Sequence, residues 1–267
     1  MLSKGPSKEL SGGLIDLADV RGRLPGRHID WFGSVNSTMT IAAQLARDGC
    51  PGGTIVGAEG QLAGVGRHGH VWHSEVGAGL YMSIVLRLPP HPATPARGMP
   101  VAMLALGLAV QEAIGEIAKL APDLRWPNDV LLNGKKCAGI LAQIEGDAII
   151  AGIGINVKQS IFPAAISDLA TSLRIEGAPH VRREDLLIAV VEAVDRCCRI
   201  LTERGPHAIR EMFTRSSTYT CGRRVRVEQK DRVIEGVTCG LDESGFLIVR
   251  EDNGKETTIL AGGVRPA

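Results

Sequence analysis

The chain has 267 residues, a formal net charge of +1, and 44% apolar but only 3% aromatic side chains. Such a length suits one domain of ordinary size plus a small one, and the balanced charge argues against a general nucleic-acid or membrane-surface binder. The six cysteines (Cys50, Cys137, Cys197, Cys198, Cys221, Cys239) show neither a C-x-x-C nor a metal-binding spacing with histidine. A chain with a sizeable core needs no staples, so reduced thiols in a cytoplasmic setting are expected. Met1-Leu2-Ser3-Lys4-Gly5-Pro6 carries no apolar leader core, and no run approaches the ~18 apolar residues of a membrane span.

In chain order, residues 1–27 are punctuated by Gly, Pro and Arg and read as an extension too short for a DNA-binding helix-turn-helix domain. Ser37-Thr38 then cap a helix whose apolar face is Ile41, Ala42, Leu45 and Ala46, stopped by Gly49 and Pro51. Thr54 to Ala58 and Leu80 to Leu88 read as buried strands. Val101 to Ile117 is apolar almost all round, the pattern of a core helix. Gly139–Glu145 and Ala148–Asn156 read as strands joined at Gly146-Asp147, and Glu184 to Leu201 as an amphipathic helix ending near Gly205-Pro206. From about residue 216 short alternating strands recur with turn signals, which predicts a small closed, SH3-like β module over 216–267. Its Arg223, Arg224 and Arg226 hint at RNA. The segment nevertheless holds eight basic and eight acidic residues, so a solvated strand face is the better reading.

The densest chemistry lies in Arg125-Trp126-Pro127-Asn128-Asp129, followed by Lys136 and Gly139. Between them stands Asn133-Gly134, the strongest two-residue signal for a hairpin, because both central positions of a type I′ turn need positive φ. The fold-back brings Asp129 and Lys136 near each other at the open end of the hairpin. A carboxylate and an ammonium held on rigid strands suit a polyanionic substrate. An ordinary surface hairpin with a cross-strand ion pair would show the same residues.

Gly64-Val65-Gly66-Arg67-His68-Gly69 matches G-x-G-x-x-G, but turn and strand residues follow it where a dinucleotide fold needs a helix. A Rossmann reading is therefore rejected. A glycine loop between strands still binds anions when its backbone N–H groups turn inward, and Arg67 adds a guanidinium fork. A plain exposed loop is the alternative.

Together these segments resemble the biotin–protein ligases. The likeness runs from Ile29 to Val264 in the family's order: Ser37-Thr38; Gln61-x-x-Gly64-x-Gly66-Arg67-x-Gly69-x-x-Trp72; Gly79-Leu80-Tyr81-Met82-Ser83; Arg125 to Asp129; Lys136-x-x-Gly139-Ile140-Leu141; Gly152-x-Gly154-x-Asn156; and Ala170-Thr171-Ser172-Leu173. The W-P-N-D and K-x-x-G-I-L pair is the most specific element. The resemblance implies an α+β fold: a mixed β-sheet with flanking helices, related to class II aminoacyl-tRNA synthetases, over 28–215, then the small barrel. It implies a monofunctional ligase without a DNA-binding domain. It would use ATP, biotin and Mg²⁺ and modify a biotin carboxyl carrier protein, with no DNA or membrane partner, as a monomer or homodimer.

The resemblance also implies residue roles. Two anions, a carboxylate and an α-phosphate, must be brought together, which demands charge neutralisation and alignment rather than a protein nucleophile. Lys136 is expected on both the biotin carboxylate and the α-phosphate, and Arg67 with the N–H groups around Gly64 and Gly66 on the adenylate. Ser37, Thr38 and Gln61 are expected on the ureido ring of biotin, and Trp72 as an apolar wall. Asn128 and Asn156 fall to the nucleotide or its metal and Arg125 to phosphate, with no residue assigned as a dedicated metal ligand. Asp129 is expected to steer or deprotonate the carrier lysine.

The chain departs from the family where Val65, His68 and His70 hold usually basic positions, and where Met39 follows Ser37-Thr38 in place of the common Asn. Losing the charge at Val65 should cost roughly 1.5–3 kcal/mol of adenylate binding. A lipoate or octanoate ligase of the same fold and a non-catalytic biotin-binding protein are the rival readings.

Overall fold

The computed structural model describes residues 14–89, 99–229 and 232–267, without the side chain of His68. The larger part contains α1 (Leu17–Arg23), β1 (Ile29–Phe32), α2 (Thr38–Arg47), β2 (Ile55–Ala58), β3 (Gly79–Leu86), α3 (Met99–Ala118), β4 (Asp123–Arg125), β5 (Asp129–Leu132), β6 (Lys135–Glu145), β7 (Ala148–Asn156) and α4 (Arg183–Ser216). Its seven strands form one sheet in the order β1-β2-β3-β7-β6-β5-β4. β1 and β2 run parallel and the remaining neighbours antiparallel, so the sheet is mixed. Sheet and helices match the fold expected above.

The two faces of the sheet differ because the strands alternate. In β7, Ala151, Ile153 and Ile155 join the main core with α3 and α4, whereas Gly152, Gly154 and Asn156 line an open cleft on the other side. On that other side α2 lays Met39, Ala42, Ala43 and Ala46 against Val56, Val85 and Ile150. α3 would pass for a membrane span by length and composition, contrary to the sequence expectation, but it is a core helix: Leu104, Ala105, Val110 and Ile114 are all buried.

Two helical features differ from the sequence reading. Inside residues 1–27, Asp16 caps α1 by accepting from the N–H groups of Ala18 and Asp19 at 3.0 and 3.1 Å, and Val20 is buried. Seven residues are too few for periodicity to reveal. α4 does break at Gly205 (φ +78), as expected, but it resumes at once and runs to Ser216. Glycine in the left-handed region ends one helix, and Pro206 is preorganised to start the next. Buried Ile209 and Phe213 supply the packing that carries it on.

The C-terminal strands β8 (Cys221–Glu228), β9 (Val233–Leu241), β10 (Leu247–Glu251), β11 (Glu256–Ile259) and β12 (Gly263–Pro266) form an antiparallel sheet in the order β11-β10-β9-β8-β12. This corrects the expected closed SH3-like barrel, because among the described residues no ladder joins the edge strands β11 and β12. Alternation predicts strands, but closure depends on strand tilt and stagger. The inner face instead finds cover in the rest of the molecule: Val225, Val227, Leu247, Val249 and Val264 belong to the same core as α3 and α4. The Trp126 indole N–H seals the joint by donating to the Gly245 carbonyl at 3.0 Å.

Candidate active site

A cleft of about 1120 Å³ opens on the α2 side of the large sheet and is closed at one end by the C-terminal strands. Its electrostatic centre is the hairpin of β5 and β6. Asn133 and Gly134 both have positive φ (48° and 78°), as the two-residue turn requires. The Asp129 carboxylate sits between two cations, with Lys136 Nζ at 2.5 Å from Oδ1 and Arg125 Nη2 at 2.7 Å from Oδ2. Burial opposes its charge, but Lys136 and Arg125 outweigh that and hold the carboxyl below the usual carboxylate range. Lys136 is further fixed through its backbone, whose N–H donates to Leu169 and whose carbonyl accepts from Thr171.

The Lys136 ammonium also lies 5.3 Å from the centre of the Trp72 ring, within cation–π reach. That indole rests on two glycines that are cross-strand partners, Gly139 and Gly154. A Cβ at Gly139 would come within 2.9 Å of both Trp72 and the Lys136 Nζ, and one at Gly154 within 2.6 Å of Trp72. The small residues in K-x-x-G and in G-x-G-x-N thus clear a floor for an aromatic ring. Asn156, buried at the end of β7, faces the cleft and donates to the Thr171 carbonyl at 2.9 Å.

Polar groups gather at the other end of the cleft around the start of α2. Ser37 has the backbone of an N-cap, yet its side chain makes no capping bond, contrary to the sequence expectation. Gln61 takes the helix terminus instead: the Thr38 N–H donates to Gln61 Oε1 at 2.9 Å and the Thr38 hydroxyl to the same oxygen at 3.2 Å. Thr38 Oγ1 also lies 2.8 Å from the Ser83 hydroxyl. Ser83 has no local sequence signal for this site; its place in the triplet with Thr38 and Gln61 comes from strand register.

The glycine loop carries no helix beyond a single turn at Arg67–Gly69, in keeping with the rejected dinucleotide reading. It is a narrow hairpin held by a Val65–Val71 bridge and by the Gly66 N–H on the His70 carbonyl at 2.7 Å. Val65 and His70 reach the rim of the cleft, while the side chain of His68 lies outside the described residues. Gly64 does not line the cleft. It packs behind it, where a Cβ would meet the Trp72 carbonyl at 2.8 Å.

Arg67 turns inward and donates to Asn128 Oδ1 at 3.1 Å and to the Gly262 carbonyl at 3.4 Å. Burial holds its pKa below the ordinary arginine value, with the charge of Asp129 opposing, and a guanidinium there still stays charged. Asn128 is fixed in turn by donating to the Ile140 carbonyl at 2.8 Å. The contact with Gly262, and the presence of Glu228, Gln229 and Leu260 in the lining, have no local sequence signal. With the exception of Gly64, the expected site residues meet in one cavity.

The chain also has relatives among known proteins. Residues 31–160 match the Biotin/lipoate A/B protein ligase family and residues 220–264 the Biotin protein ligase C terminal domain. The chain is 33% identical over 236 residues to the bifunctional ligase/repressor BirA of Bacillus subtilis, covering 86% of this chain and 71% of that protein. It is 30% identical over 261 residues to the biotin–[acetyl-CoA-carboxylase] ligase of Mycobacterium tuberculosis, covering 93% and 94%. The solved biotin protein ligase from Aquifex aeolicus in complex with biotin and ATP superposes with a TM-score of 0.78 at 30% identity, over 90% of this chain and 99% of that one. Family matches at both ends of the chain, and a shared fold between them, lead to one conclusion: the chain belongs to the biotin protein ligase family.

Proposed function

We propose that this protein activates biotin with ATP as biotinyl-5′-AMP and transfers the biotinyl group to a lysine of a biotin carboxyl carrier protein. The observation that carries this reading is the Arg125–Asp129–Lys136 cluster, whose two cations exceed its one carboxylate at the middle of the cleft. In the first step a biotin carboxylate oxygen attacks the α-phosphorus and pyrophosphate leaves. Lys136, with Arg67 and Arg125, offsets the repulsion between carboxylate and phosphate. Ser37, Thr38 and Gln61 receive the ureido ring, Trp72 forms the wall, and Asn128 and Asn156 receive the nucleotide. In the second step the carrier lysine attacks the acyl carbonyl and AMP leaves.

Asp129 has two successive jobs in this scheme. Paired with Lys136 and Arg125 it is a poor proton acceptor, because its pKa is depressed. Once Lys136 engages the ligand, one carboxylate oxygen is released to orient the incoming ammonium and take its proton. Mg²⁺ fits as an ion carried by the nucleotide rather than held in a protein cage. The described residues contain no cluster of three or more His, Cys, Asp or Glu, and Asn128 and Asn156 in the cleft would offer amide groups to a bound nucleotide. We assign residues 28–215 to the catalytic part, 216–267 to a C-terminal part that closes the cleft, and 1–27 to an extension. The free thiols fit a reducing, cytoplasmic setting.

The test is incubation with ATP, Mg²⁺ and either biotin or lipoate, with and without an isolated carrier domain, following pyrophosphate and carrier labelling. Biotin-dependent pyrophosphate with labelled carrier is expected. Lipoate dependence would transfer the activity to that acid, and absence of pyrophosphate with either acid would leave a binding protein.

A further inference from the structure

Outside the cleft, two thiols stand opposite one another. Cys221 opens β8 and pairs with Cys239 of β9 in the antiparallel register. The Gly240 N–H donates to the Thr220 carbonyl at 2.7 Å, so the next pair along, Cys221 and Cys239, occupies a non-hydrogen-bonded position. Residues opposed in that way have Cα atoms about 4.5 Å apart and project from the same face. That spacing falls within the range of roughly 4.4–6.8 Å that a disulfide spans. Just beyond, the ladder shifts register between Cys221 and Arg224, and Gly222 has φ +75°. The first rung of β8 is therefore isolated from the ladder that follows it.

The surroundings separate these two sulfurs from the two core cysteines, and their cross-strand pairing sets them apart from Cys50 and Cys198. Cys221 is exposed and Cys239 half-buried, and both are free thiols. Cys137 and Cys197 are enclosed in the core, where burial raises the thiol pKa, for Cys197 to about 12, and an enclosed thiol is inert. Cys239 has a cation nearby: Arg250 of the adjacent β10 interacts electrostatically with its sulfur, after its stronger hydrogen bond to Glu256.

We infer that Cys221 and Cys239 are a reversible oxidation site, closing to a cross-strand disulfide in response to hydrogen peroxide. The exposed Cys221 sulfur attacks the peroxide, breaking its O–O bond and becoming a sulfenic acid, while the thiol proton goes to the departing hydroxide, which leaves as water. The Cys239 sulfur then attacks Cys221, the S–S bond forms, and a second water departs. One peroxide is reduced to two waters as the two thiols lose two hydrogens and two electrons. The bond fastens the root of the C-terminal sheet on the side of its bulge away from the cleft. Reduction by a small dithiol reopens it.

The experiment treats the full chain with hydrogen peroxide, alkylates remaining thiols, digests it and identifies cross-linked peptides by mass spectrometry. The expected result is an intrachain peptide joining residue 221 to residue 239, with two of the six thiols lost to alkylation and recovered with dithiothreitol. C221S and C239S should each abolish this peptide while keeping the wild-type circular dichroism spectrum. Conversion of Cys221 to sulfinic acid with Cys239 still alkylatable would overturn the proposal, as would linkage only between chains or at other cysteines.

Discussion

Two ion clusters in this molecule use the same residue types to opposite ends. Arg183 and Glu59 are 2.7 Å apart with side chains only 1% and 3% exposed. Glu59 Oε1 accepts from the Trp31 indole and from the Ile15 N–H, and Arg183 also donates to the Gly79 carbonyl. One cation meets one carboxylate, and these protein partners tie the extension, β1, the end of β2, β3 and α4 together. The Arg125–Asp129–Lys136 cluster is 16–29% exposed and has one cation in excess. A sealed ion pair is closed to solvent, whereas an open cationic cluster still has charge to offer an anion.

Substitutions sharpen this contrast. The largest effect is expected from Lys136→Ala, which should lower biotin-dependent pyrophosphate release by at least ~10³-fold while leaving the denaturation midpoint near wild type. Arg183→Met should do the reverse. Stranding the buried Glu59 charge should cost about 3–5 kcal/mol of stability, with the Kd for biotin little changed in whatever folded protein remains. If Lys136→Ala unfolds the chain, or Arg183→Met acts on biotin binding alone, the two clusters have been assigned the wrong way round.

Asp129→Asn should slow transfer to the carrier by ~10²-fold and affect adenylate formation less; equal loss in both half-reactions removes the division of labour with Lys136. The same variant has a pH signature. Because the folded pKa of Asp129 is depressed, its ionisation stabilises the fold above about pH 4, and that contribution is lost as pH falls through the lower folded value. Acid titration of wild type should therefore lose stability more steeply below about pH 4 than titration of Asp129→Asn. The smallest effect is expected at the rim. Val65→Arg, at a position facing the cleft, should tighten the adenylate by roughly 1.5–3 kcal/mol, read as slower release in a ligand chase. An unchanged release rate would show that Arg67 alone provides the cationic contact of this loop.

Much of the site was legible because its determinants are local. Asn133-Gly134 dictates the turn, the turn aligns Asp129 with Lys136, and the alternation Gly152, Gly154, Asn156 against Ile153 and Ile155 orients β7. Less legible were features that depend on partners far along the chain. Ser37 looked like a cap from its neighbours, but a glutamine 23 residues beyond Thr38 took the helix terminus. α1 is too short to show a period, and the C-terminal strands were recognised without their closure.

By itself, then, the sequence determined the central strands, the helices α2 and α3 with the first part of α4, the hairpin and the family resemblance, since propensity, periodicity and turn chemistry act over a few residues. Only the tertiary structure decided that Arg67 reaches Gly262 across 195 positions, that Glu59 and Arg183 are sealed from water, and that the last five strands form an open sheet. Burial, desolvation and the geometry of packing settle those outcomes, and they belong to groups brought together in space rather than to neighbours in the chain.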